Sequence, residues 1–117
     1  MKARAIACMI AAVTAGAQAA DIDRQVDLAV ENMAVAVMIA EYCGRLKVHR
    51  ETFNALMGGF GITAARIDSG GDLHRKFISA VQAAKGELSG KSEEVICMVG
   101  DRLFGIAGEA PGVLVPD

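Results

Sequence analysis

The sequence predicts an all-α fold: a small helical bundle of about four helices, closed by one disulfide, after a cleaved signal peptide. Three observations predict it. Apolar residues recur at helical spacing in successive segments bounded by capping residues and glycines. There is no tryptophan, and the only aromatic residues are Tyr42, Phe53, Phe60, Phe77 and Phe104. The core therefore falls to Ala, Val, Ile, Leu and Met, which suit close helix packing. Finally, the first twenty residues read as a secretory address, which places the rest in an oxidising compartment.

The address has three parts. Lys2 and Arg4 are the positive region, Ile6 to Val13 is an uncharged apolar run, and Ala17-Gln18-Ala19 supplies the small-x-small pattern of a signal-peptidase site. The run is too short to span a bilayer, and Asp21 and Asp23 follow at once. Three regions result: a signal peptide over 1–19, a helical domain over 20–108 and an extended C-terminal tail over 109–117. Loss of Lys2 and Arg4 leaves 10 basic against 14 acidic residues, a net charge of −4. A mildly acidic exported chain has no general attraction for nucleic acid, and the compartment supplies no nucleotide pool.

In the mature chain, Asp21 is placed to cap a helix running to about Cys43. Its stripe is Ile22, Val26, Ala29, Val30, Met33 and Val37, and Met33 to Ala40 is apolar all round. This predicts the central, most buried helix, with Gly44 as its stop. Its uncharged stretch is far shorter than the roughly 20 residues a membrane span needs. Arg45 to His49 reads as a basic connection, and a second helix covers about Arg50 to Met57. Gly58, Gly59 and Gly61 then predict a break, since each glycine costs a helix about 1 kcal/mol against alanine. Thr63 caps a further turn through Ile67.

Asp72 is read as the start of the next helix, whose stripe is Leu73, Phe77, Val81, Ala84 and Leu88. Ser92 caps the last helix, with Glu93 and Glu94 in its first turn. Val95, Ile96, Val99, Leu103 and Ile106 are its expected inner stripe. The segment from Gly108, with Pro111 and Pro116, reads as an extended tail, and Val113-Leu114-Val115 as too short for a sheet. Cys8 departs with the leader. Cys43 and Cys97 then remain to pair, joining the end of the first mature helix to the first turn of the last.

No motif specifies a reaction. Gly90-Lys91-Ser92 matches the end of a phosphate-binding loop, but its first glycine position is Lys85, and no strand precedes it. Asp68-Ser69-Gly70-Gly71-Asp72 opens like a calcium loop, but Leu73 and Ser79 stand where glycine and the bidentate glutamate belong. His49 and His74 have no partner at metal-ligand spacing. No catalytic residue, metal ligand or cofactor is therefore expected. The residues left for contact are the basic cluster Arg45, Lys47, His49 and Arg50, and the apolar, glycine-rich segment holding Met57 and Phe60.

These features lead to the expectation of a non-enzymatic, exported binding or accessory protein, periplasmic or secreted. It is expected to act through contacts with another envelope protein, with no nucleic acid, no nucleotide and no stable membrane span after cleavage. In overall form the chain is also similar to the small acid-stress chaperones of the periplasm, which are exported helical domains of about this length with two cysteines. The similarity covers architecture, not a motif, so no functional residue carries over. It implies exposure of apolar surface in acid. A thiol-based redox protein is a third reading and requires a free cysteine.

Overall fold

The structure, a computed structural model, describes residues 21–117 in full. Residues 1–20, which hold the expected signal peptide and its cleavage site, lie outside the fully described residues. In chain order the elements are α1 (Lys2–Tyr42), β1 (Leu46–Val48), α2 (Arg50–Gly59), α3 (Ala64–Ile67), α4 (His74–Leu88), α5 (Glu93–Phe104) and β2 (Leu114–Pro116). Among the described residues the fold is mostly helical, with five helices, one of them a single turn, and a two-stranded ribbon.

α1 is the axis of the molecule. Ala29, Val30, Met33, Ala34, Ala36, Met38 and Ile39 are buried along it, as the apolar run predicts. Asp21 lies inside this helix and does not cap it, and Ile22 is 59% exposed, so the buried stripe begins about two turns later. The helix ends at Tyr42, next to the disulfide cysteine Cys43. The Gly44 amide then donates to Glu93 Oε2 at 3.0 Å, joining this end to the start of α5.

The basic connection proves to be a strand. β1 pairs antiparallel with β2 in the register Leu46↔Pro116, Lys47↔Val115 and Val48↔Leu114. His49 N donates to Val113 O at 2.8 Å, and Asp117 N to Arg45 O at 3.0 Å, extending the pairing at both ends. The segment expected as an extended tail is therefore a structural element, and Val113-Leu114-Val115, expected to be too short for a sheet, lies in and beside its strand. Val113 and Leu114 are 2% and 1% exposed, and they complete the core against α5 and β1. Short strands carry little local signal, and burial decides this pairing.

Two helix boundaries also differ from expectation. α2 runs through Gly58 and Gly59, and the chain turns at Phe60 and Gly61 instead. Burial of Met57 on its inner face anchors the last turn against the helix cost of those glycines. α4 begins at His74, because Asp72 is held by Arg66 rather than by the helix end.

α5 is capped as expected, with Ser92 Oγ accepting from Val95 N at 3.3 Å. Of the expected stripe, Ile96 is buried and Val99 and Leu103 pack partly buried against the core, while Val95 is 37% exposed. Cys97, Gly100 and Phe104 are also buried, and Ile106, 84% exposed, lies beyond the end of the helix. A β-carbon at Gly100 would lie 2.7 Å from Ile39 Cγ2 and 2.8 Å from Leu46 Cδ1. The glycine allows α5 to approach α1 and β1 closely, and the disulfide fixes the same face inward.

The buried residues form two clusters along α1. One surrounds the disulfide and joins Ile39, Cys43, Leu46, Leu88, Cys97, Phe104, Val113 and Leu114. The other joins Ala29, Val30 and Met33 to Met57, Ile62 and Leu73. Phe53 packs against both.

Candidate functional site

Where the two clusters meet, the surface opens into a cleft of about 480 Å³. α1 forms one wall, contributing Leu28, Ala29, Met33 and Ala36 together with the amides of Gln25 and Asn32. α2 forms the second wall with Phe53, Leu56, Met57 and Phe60. The C-terminal segment closes the far end through Glu109, Ala110, Pro111 and Val113, beside Phe104. The volume lies within the range of small-molecule pockets, and the lining is mostly apolar with few polar groups.

Helical spacing explains the α2 wall. Phe53, Leu56, Met57 and Phe60 recur at three- and four-residue intervals, so one face of α2 and its C-cap carries all four. Only Met57 is buried, at 5% exposure. Leu28, Leu56 and Phe60 are 46%, 37% and 37% exposed, so the cleft presents large apolar side chains to water. Among the described residues, Glu109 is the only charged one on its walls.

The candidate contact residues thus divide. Phe60 lies on the open rim, whereas Met57 lines the floor and belongs to the core. The basic residues are all exposed. Arg45 and Lys47 lie at and within β1, and Arg50 opens α2. His49 caps α2: its Nδ1 accepts from Thr52 N at 3.4 Å and lies 2.7 Å from Thr52 Oγ1. Through Thr52, a lining residue, the basic cluster adjoins the cleft without entering it.

Sequence patterning alone missed Leu28, Leu56 as a rim residue, and Glu109. Leu56 had a usable signal, since it stands one turn before Phe60. Glu109 had none, because its position depends on the return of the C-terminal segment.

Cys43 and Cys97 are joined, with their α-carbons 5.3 Å apart. They hold the end of α1 against α5, behind the cleft. Both residues are buried, at 0% and 3% exposure. A thiol chemistry would need a cysteine outside this pair. Among the described residues, no three His, Cys, Asp or Glu side chains group as metal ligands, and no helix is long and apolar enough to cross a membrane. A second groove between α1 and α4 is lined by Glu31, Asp72, Arg75, Lys76 and Glu87, besides small residues. The charged residues share this groove with the apolar Val35, Ala80, Ala83 and Ala84.

At the far side of the second cluster, Arg66 Nε and Nη2 donate to Asp72 Oδ1 and Oδ2 at 2.9 and 2.8 Å. These hydrogen bonds, and then the cation's charge, hold the Asp72 carboxyl below the usual aspartate range, while desolvation acts the other way. The same hydrogen bond raises Arg66, opposed by desolvation and helped by the carboxylate charge. The sign follows from linkage. The pair's contribution is complete above the ordinary aspartate pKa and is lost as pH falls through the lowered one. Carbon-13 NMR of the Asp72 carboxyl is expected to show a depressed titration that Arg66→Ala returns to the ordinary range. An ordinary titration in the unaltered protein would show that the fork is not formed in solution.

No protein-family model, curated protein or solved structure matches this chain.

Proposed function

We propose that this is a small exported, non-enzymatic binding protein of the bacterial envelope, acting through contact between its apolar cleft and a partner protein. The observation that carries the reading is the exposure of Leu28, Leu56 and Phe60 around one concave apolar surface. Scattered apolar residues on a surface are ordinary, but a concave group of them marks a contact site. The buried disulfide supports an oxidising compartment, and the leader pattern of residues 1–19 supports export. The partner is another envelope protein, and the mature protein is periplasmic or secreted. Arg45, Lys47, His49 and Arg50 form an exposed basic margin beside the cleft, where charge steers encounter more than it adds affinity.

Site-specific photo-crosslinking tests this reading. A photoreactive phenylalanine at position 60 is expected to trap a discrete protein adduct in the envelope, and one at exposed Ile78, on α4, is expected to trap none. Phe60→Asp introduced beside a crosslinker at position 56 is expected to remove the adduct. Charge reversal of Arg45, Lys47 and Arg50 together is expected to slow its formation. Equal labelling from positions 60 and 78, or an adduct indifferent to Phe60→Asp, would refute the cleft as the contact site.

A further inference from the structure

Residues 58–73 cover the second cluster in an unusual way. The segment places two buried side chains there, Ile62 at 3% and Leu73 at 6% exposure. Between them its only regular element is α3, a single turn with no buried residue. Its backbone bonds are short-range. Ile62 N donates to Met57 O at 3.0 Å, Asp68 N to Ala64 O at 2.8 Å and Leu73 N to Arg66 O at 2.8 Å. Gly61 and Gly70 take φ values of +73° and +92°, so the segment bends at both ends where no β-carbon resists.

One side chain ties these ends together. Besides its fork on Asp72, Arg66 donates from Nη1 to Gly61 O at 2.9 Å. Its guanidinium therefore bridges the first bend to the start of α4. A planar fork bound on two sides is the geometry in which an exposed ion pair has a measurable effect. The disulfide does not reach this segment, because it closes the other cluster. A region with few buried side chains and local hydrogen bonds opens at lower free energy than the whole fold.

We propose that residues 58–73 form a latch that opens as a unit, with Arg66 as its catch, while the disulfide-closed half remains folded. Opening withdraws Ile62 and Leu73 from Met33 and Met57, which belong to both the second cluster and the cleft. The latch thereby sets how much apolar surface the cleft offers. This purpose rests on the cleft reading, whereas the opening itself does not.

Amide hydrogen exchange of the complete, disulfide-bonded protein in low denaturant is the test. The amides of Ile62, Asp68 and Leu73 are expected to share one opening with weak denaturant dependence. Those of Cys97 and Gly100 are expected to exchange only through global unfolding, with strong dependence. Arg66→Ala is expected to speed the first group about tenfold and leave the second within about twofold. Arg66→Lys, which keeps the charge and loses the fork, is expected to reproduce most of that change. The same denaturant dependence in both groups would overturn the latch, and this comparison needs no variant to fold. Equal acceleration of both groups by Arg66→Ala, or none, would overturn Arg66 as the catch. A latch that opens as described in a protein whose position 60 traps no partner would refute the cleft reading alone.

Discussion

Replacement of both Cys43 and Cys97 by alanine is expected to lower the thermal midpoint by roughly 15–30 °C. The two residues are 54 positions apart. Closing a loop of that length restricts the unfolded chain by about 4 kcal/mol in the chain-entropy model. One kcal/mol moves the midpoint of a domain this small by about 4–8 °C. The total stability of such a domain is only on the order of 5–10 kcal/mol, so the bond accounts for a large share of it. Both cysteines are also buried, and their loss removes packing between α1 and α5. Circular-dichroism melts of the oxidised, reduced and double-alanine proteins measure the effect. A fall of less than about 5 °C would show that the core holds α1 to α5 without the bond.

Truncation after Gly112 is expected to abolish cooperative folding, although it removes only the last five residues. Val113 and Leu114 are almost fully buried, and their removal forfeits about 1.5–3 kcal/mol each by area alone. It also leaves β1 without its only partner strand and uncovers Leu46 and the inner face of α5. The milder Leu114→Ala is expected to fold with a stability loss of about 2–5 kcal/mol, from lost transfer energy and the remaining cavity. Urea unfolding of both variants checks this, the truncated chain through its far-ultraviolet spectrum and the point variant through its midpoint. An unchanged midpoint in the truncated protein would mean that the C-terminal segment is a dispensable tail after all. Because Glu109, Ala110 and Pro111 depend on that anchor, loss of Leu114 is also expected to open one wall of the cleft.

The two results bear on function in different ways. The disulfide holds the rear of the cleft, where Phe104 and Ala36 meet, and the C-terminal segment holds its end. The disulfide is not itself proposed to touch a partner, whereas Glu109, Ala110 and Pro111 line the cleft. Variants at Phe60 or Leu56 are the ones expected to remove contact with little change in stability, because each is more than a third exposed.

Much of the helical organisation was legible in the residues. Ser92 announced the start of α5, the apolar run after Met33 announced the buried axis, and Cys43 and Cys97 were expected to pair, as they do. These signals are local: a hydroxyl reaches an amide three residues away, and apolar periodicity spans a few turns. The same logic misplaced the start of α4, because it gave Asp72 to a helix end when Arg66, six residues back, competes for its carboxylate. It also misjudged Val95 as inward, since periodicity alone does not choose among adjacent stripes that are all partly apolar, and Ile106, because α5 ends at Phe104 before reaching it.

The sequence by itself determined that the fold is mostly helical and that Cys43 and Cys97 pair. Only the tertiary structure decided that β1 and β2 pair, that Gly100 brings α5 onto α1, and that Leu28, Leu56, Phe60 and Glu109 surround one cleft. The physical reason is range. Capping and periodicity act within a few residues, whereas Leu46 pairs with Pro116, and Leu28 and Glu109 come to line one cleft, only after the chain has folded back to bury its apolar surface.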